Sequence, residues 1–351
     1  MIGLNGRIRR NESARMTETP TPDSPAPHER RSALTTAIVV SCVVGAVAIG
    51  ATLDFGVERA SGPEPGEPVS PVATEDYGRR LIAQTAELLG PDHPDADRRY
   101  TNSRLNCGSC HLATGNEPGT LTLLQVTEHY PRFSGRVGAM TDIEDRINEC
   151  MQRSMNGTPL AMDSVEMQAM AMYLRSLGAQ YQAMGAGQKD AVEPAAFKTP
   201  PRKADVAAGQ QVFGDKCAIC HGEDGAGLLA ATDRSKGYLF PPLWGPDSFN
   251  DGAGMHRVLT AARFIKSRMP LGAPDLTDDQ AFDVAAYIND QPRPQMPNLD
   301  KDYPDLSVKP IDNPYGPYAD DFPVEQHRFG PFPPIAAYYE ARKTNVPRAL
   351  P

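Results

Sequence analysis

The chain is short of cysteine, short of positive charge and almost without long apolar runs. Six cysteines among 351 residues are not the dense set of a disulfide-stapled scaffold. Lys and Arg number 35 against 44 Asp and Glu, a formal net charge of -9, which argues against nucleic acid as a partner. A single uncharged segment, residues 32–53, is long and apolar enough to span a bilayer. Glycine and proline are plentiful, 30 and 34 of them, so long irregular segments are expected between elements. The length accommodates two or three compact units.

Four of the six cysteines lie in Cys107-Gly108-Ser109-Cys110-His111 and Cys217-Ala218-Ile219-Cys220-His221. In a C-x-x-C-H run two thiols add across the vinyl groups of a haem, and the adjacent His gives an axial nitrogen to the iron. A four-Cys zinc site carrying two histidines is the alternative. His directly after both copies favours two covalently bound haem c groups, attached at Cys107, Cys110, Cys217 and Cys220 and ligated by His111 and His221. Attachment needs reduced thiols outside the cytoplasm, which suits a bacterial periplasm. The expected fold is mainly α: two cytochrome c-type haem domains in tandem, an extended C-terminal wrap and an N-terminal transmembrane helix.

In order, residues 1–31 are polar and expected to be a disordered cytoplasmic N-terminus. Residues 32–53 read as a transmembrane anchor or a signal. Arg30 and Arg31 precede this segment and Asp54 and Glu58 follow it, which orients the body to the periplasm and ties it to the inner membrane. Ala46-Val47-Ala48 would serve a cleaved signal, but the long preceding segment favours an uncleaved anchor. Cys42 inside it reads as a small hydrophobe. Residues 54–73 form a linker rich in proline. The first cytochrome c domain, 74–190, would house the catalytic haem. It shows an amphipathic helix over Tyr77–Leu89, a capping box at Thr141 and Glu144 opening a helix through Cys150 toward Asn156-Gly157, and a helix over Ser164–Leu177. A boundary falls in the Ala/Gly/Pro-rich stretch 178–202. The second domain, 203–291, would house the electron-transfer haem between a leading helix at Ala204–Lys216 and a closing helix at Leu276–Asp290. Residues 292–351 form a Pro/aromatic-rich extension expected to wrap the domains and pack its rings on them.

The sixth ligands are less determined. For the second iron, Met269 before Pro270 is the pattern of a His/Met cytochrome; Met255 and His256 are alternatives, and Lys266 competes only with its amine deprotonated. The first domain offers Met140, Met151, Met155, Met162, Met167, Met170, Met172 and His129. Yet Arg146, Cys150, Arg153 and Ser154 share one helical face. Cations there would favour a thiolate, both iron ligand and nucleophile; a buried structural Cys is the alternative. With Arg136, these arginines gather without an equal acidic set on that face. Guanidinium groups bind tetrahedral oxyanions bidentately, so a small sulfur oxyanion is the expected substrate.

The residues Arg146-Ile147-Asn148-Glu149-Cys150-Met151-Gln152-Arg153-Ser154-Met155-Asn156-Gly157, both C-x-x-C-H runs, Met269-Pro270, Pro314-Tyr315-Gly316-Pro317-Tyr318 and Gln326-His327 resemble the dihaem thiosulfate dehydrogenases of the periplasm. The stretch around Cys150 is also similar to the haem-ligating Cys of SoxA-type cytochromes. The resemblance implies that Cys150 ligates the first iron, that Arg136, Arg146 and Ser154 line the substrate pocket with it, and that Met269 ligates the second iron. Arg268 departs from the pattern, since some members carry Lys directly before the ligand Met. The implied activity is oxidation of two thiosulfate to tetrathionate, with electrons passing through the second haem to a cytochrome or membrane oxidase. The rivals are a non-catalytic dihaem electron carrier and a tetrathionate reductase. A haem peroxidase is disfavoured, as neither domain shows a distal acid/base pair.

Overall fold

The computed structural model describes residues 72–194 and 196–343. The span expected at 32–53, the polar N-terminus, Cys42 and most of the linker lie outside these residues. Among the described residues no helix is long and apolar enough to cross a membrane.

The first helical unit begins with α1 (Glu75–Ala83), capped by Thr74, whose hydroxyl accepts the Tyr77 N–H. Its apolar face, Tyr77, Leu81 and Ile82, is buried. The single helix expected over 77–89 is broken at Gln84, and α2 (Thr85–Leu89) follows. The Thr85 hydroxyl donates back to the Leu81 carbonyl at 2.6 Å, and the Ala86 N–H turns to Asn106 Oδ1 at 2.9 Å. A side chain competing for backbone groups in this way bends a helix. The Cys107–His111 run comes next, then α3 (Val126–His129) and a hairpin of β1 (Arg132–Ser134) and β2 (Ala139–Thr141). The capping box sits one residue later than its sequence signature. Asp142 and Asp145 cap each other's backbone at 2.9 and 3.0 Å to open α4 (Ile143–Arg153), while Thr141 belongs to β2. Then α5 (Val165–Ala183) runs beyond the expected Leu177, with Thr127 packed against it at Gly178. A short α6 (Ala186–Val192) occupies part of the stretch read as a linker.

The second unit repeats the plan with α7 (Val206–Lys216), α8 (Ala218–His221) carrying the second run, a short pair β3 (Leu228–Leu229) and β4 (Tyr238–Phe240), then α9 (Val258–Arg268) and α10 (Asp278–Asp290). The C-terminal extension is more than an extended wrap. It forms α11 (Val324–Phe329) and α12 (Pro333–Lys343), and buries Phe329, Phe332 and Ile335 in the second core with Phe282 and Val258.

Both units close by the same device. A Cβ on Gly78 of α1 would stand 2.0 Å from the Ala169 carbonyl oxygen of α5, and one on Gly209 of α7 would stand 2.1 Å from that of Asp283 in α10. Only hydrogen fits at either crossing. Gly214, on the same α7, has nothing within 4 Å of such a Cβ. Gly209→Ala is therefore expected to lower stability by about 1–3 kcal/mol through overpacking, whereas Gly214→Ala should raise it by up to about 1 kcal/mol through helix propensity. Chemical denaturation of the haem-loaded variants reads the difference in sign.

The units are joined by polar contacts. Arg104 pairs with Asp247 at 3.2 Å, and Lys236 with Glu87 at 2.5 Å. Asn250 fastens to the end of α4: its N–H donates to the Arg153 carbonyl at 3.1 Å and its side chain to the Gln152 carbonyl at 2.8 Å.

Candidate active site

In both runs the His is held by its Nδ1. His111 Nδ1 lies 2.7 Å from the Leu121 carbonyl, and His221 Nδ1 lies 2.8 Å from that of Pro241. A carbonyl can only accept, so each Nδ1 carries the proton and each Nε2 keeps its lone pair for a metal. Burial pushes the Cys107 thiol up to about 12, and Cys110 and Cys217 to about 11, so all three remain neutral thiols. A largely apolar cavity of about 550 Å³ touches both runs, at Cys110 on one side and at Cys217, Cys220 and His221 on the other. Paired thiols and an oriented imidazole fit haem c at each run, and the apolar cavity opens on the second run at Cys217, Cys220 and His221 and on the first at Cys110.

Met269 and Met255 both line this cavity. His256 is turned away: its Nδ1 faces the Asp251 carbonyl at 2.8 Å and its Nε2 that of Asn289 at 3.2 Å. Lys266 donates to the Leu276 carbonyl at 2.6 Å, which occupies the amine elsewhere.

Cys150 projects from α4 toward the first run, where a charge on it acts on Cys107 and Cys110. A negative charge on Cys150 is the largest influence raising the Arg146 guanidinium above its ordinary value, with Glu149 adding to it. Tyr130 completes this group. Burial raises its hydroxyl, while Arg146 and Arg132 lower it, and Arg132 stacks over its ring at 5.1 Å.

The arginines are balanced, contrary to the sequence reading. Arg146 pairs with Glu149 at 2.8 Å, and Arg136 reaches Glu149 at 3.2 Å and Asp302 at 2.9 Å. Buried Arg153 takes the other oxygen of Asp302 at 2.8 Å and donates to the Gly252 carbonyl at 3.2 Å. Tyr315 donates to Asp302 at 2.8 Å. Arg153 thus ties α4 to the C-terminal segment, whereas Arg146 keeps 41% of its side chain exposed. The carboxylate Oε1 of Glu149 is buried and lacks a hydrogen bond, since the Arg136 approach is an ion pair without alignment. Ser154 caps the C-terminus of α4, its N–H donating to the Cys150 carbonyl, and is half-buried. Of the four residues expected to act together, Arg146 interacts with Cys150 and shares Glu149 with Arg136, and Ser154 stands one turn beyond Cys150. Glu149 was readable as the i,i+3 partner of Arg146; Asp302 and Tyr315 carry no local signal.

Two helical units, each with a C-x-x-C-H run, an Nδ1-anchored His and crossed first and last helices, define a c-type cytochrome with two cytochrome c domains. Residues 98–182 match the SoxA/TsdA cytochrome c domain, and residues 204–288 match the family described as cytochrome c oxidase, cbb3-type, subunit III. Thiosulfate dehydrogenase of Stutzerimonas stutzeri is 38% identical over 64% of this chain and 70% of its own length. That of Allochromatium vinosum is 40% identical over 62% and 77%. The solved thiosulfate dehydrogenase TsdBA of Marichromatium purpuratum, in its as-isolated form, is similar with a TM-score of 0.56 and 28% identity, over 75% of this chain and 54% of that one. The chain belongs to the thiosulfate dehydrogenase family.

Proposed function

We propose that the chain joins two thiosulfate dianions into one tetrathionate dianion with release of two electrons, and that the reaction takes place at Cys150. The observation that carries this reading is the Arg146 guanidinium facing Cys150 on one helix beside the Cys107–His111 run. Cys107, Cys110 and His111 would hold one haem c, and Cys217, Cys220 and His221 a second, with Cys150 and Met269 as the further ligands. Bound haem c supplies reversible acceptance of single electrons.

The chain's own residues address the electrostatic problem, which is that two dianions repel. Arg146, partly exposed and ion-paired with Glu149, would take a sulfonate bidentately. Arg136, held by Glu149 and Asp302, lends positive potential to the second. Glu149 orients both guanidiniums and yields a donor as the anion arrives. The Cys150 sulfur would bond to the outer sulfur of the first thiosulfate, giving up two electrons. The outer sulfur of the second then displaces the Cys150 thiolate, forming the central S–S bond of tetrathionate. Electrons would leave by the second domain to a cytochrome or membrane oxidase, in a periplasmic setting where haem attachment takes place.

The test uses purified haem-loaded protein under argon. Thiosulfate is expected to reduce the haem absorption and, with an artificial acceptor, to give one tetrathionate for two thiosulfate. Intact haems with neither reduction nor tetrathionate would leave an electron carrier in its place.

A further inference from the structure

A segment of the first domain touches both His111 of the first run and the end of α9 just before Met269, and the proposed reaction makes no use of it. The Leu121 carbonyl accepts the Nδ1–H of His111 at 2.7 Å. A few residues earlier the same segment meets the residues just before Met269. Arg268 donates through Nη2 to the Pro118 carbonyl, and its Nη1 pairs with Glu117 at 3.3 Å. Ser267 Oγ bonds Thr120 Oγ1 at 2.8 Å.

The joint has little slack. Gly119 adopts φ +98, and a Cβ there would stand 2.9 Å from Arg268 Nη2; its N–H donates to the Val192 carbonyl at 2.7 Å. Leu121 itself sits at φ +64, a left-handed backbone that a branched side chain keeps only where its surroundings impose it. On the other side α9 ends at Arg268, and Met269 follows outside the helix with its N–H on the Ile265 carbonyl at 2.8 Å. The placement of the Met269 thioether therefore depends on what holds the last turn of α9. Arg268 and Ser267 hold it to the first domain, and Lys266 holds it to Leu276.

We propose that Arg268 is a positioning residue for Met269, and that residues 117–121 form a latch through which the sulfur side of the second iron and the imidazole side of the first are set together. The inference rests on Met269 and His111 as iron ligands. A neutral thioether ligates only as well as it is held, and the acceptor on Nδ1 sets the basicity of the imidazole. A strain or slip at 117–121 therefore acts on both.

Haem-loaded Arg268→Met and Thr120→Val proteins would be compared with the parent. The readouts are the sulfur-to-iron charge-transfer band of the oxidised protein and the midpoint potential of each haem. Arg268→Met is expected to weaken the band, lower the second potential and displace the first. Thr120→Val, remote from the sulfur and nearly isosteric, should move the same quantities less. Parental band and potentials in both variants would overturn the latch and leave Met269 ligation standing, as would a Thr120→Val effect confined to the first haem. A parent without the band removes Met269 as a ligand, and the inference with it.

Discussion

Cys150→Ala is expected to lower kcat for tetrathionate formation by about three orders of magnitude or more, equivalent to about 4 kcal/mol of transition-state stabilisation, while both haems stay attached. Alanine keeps α4 intact, because residue 150 lies inside the helix and the Asp142/Asp145 cap is untouched. What disappears is the one thiol on the helix that carries Arg146. Haem counted by pyridine haemochrome should match the parent, and the spectrum of the first haem alone should change. Parental turnover in this variant would remove Cys150 from the chemistry and leave the arginines to bind substrate for another group.

Asp302→Ala should cost about 3–5 kcal/mol of stability, the range for breaking a buried ion pair by removing one partner. Its two oxygens serve separate arginines, Arg136 at 2.9 Å and Arg153 at 2.8 Å, and Tyr315 donates to one of them at 2.8 Å. Without the carboxylate, the buried Arg153 guanidinium loses its counter-charge beside half-buried Arg136. Urea denaturation of the haem-loaded protein measures the cost. Adding Arg153→Met to Asp302→Ala should restore part of it, because it removes the uncompensated charge, and a double variant as weak as or weaker than the single one would count against this account. Since Arg136 loses one of its two orienting carboxylates, KM for thiosulfate should also rise in Asp302→Ala.

Much of this was legible in the sequence because its causes are local. The two runs, the leading helix at Val206–Lys216 and the closing helix at Asp278–Asp290 follow from spacing and caps within a few residues. Local signals also mislead by small amounts. Asp142 rather than Thr141 caps α4, since Thr141 is committed to the hairpin opposite Arg132. Thr85 interrupts a helix whose apolar periodicity continues through it, because its hydroxyl also serves Cys107, accepting that residue's N–H at 3.1 Å. The arginine cluster was visible but its balance was not: Asp302 lies 149 residues from Arg153, and no pattern in either segment announces the pair. The C-terminal segment reads as proline-rich and extended, yet Ile335 and Phe332 supply part of the second core.

The Asn250 joint at the end of α4 has a kinetic meaning. It fixes the helix that carries Cys150 to the second domain by two backbone carbonyls, those of Arg153 and Gln152, while both attachment runs open on one cavity. An electron crossing from one domain to the other then waits for no swinging or docking of parts. In the proposed reaction its passage would be a tunnelling event across a gap of set width, so the internal transfer should be indifferent to solvent viscosity, and only the arrival of thiosulfate and of an external acceptor should slow in glycerol.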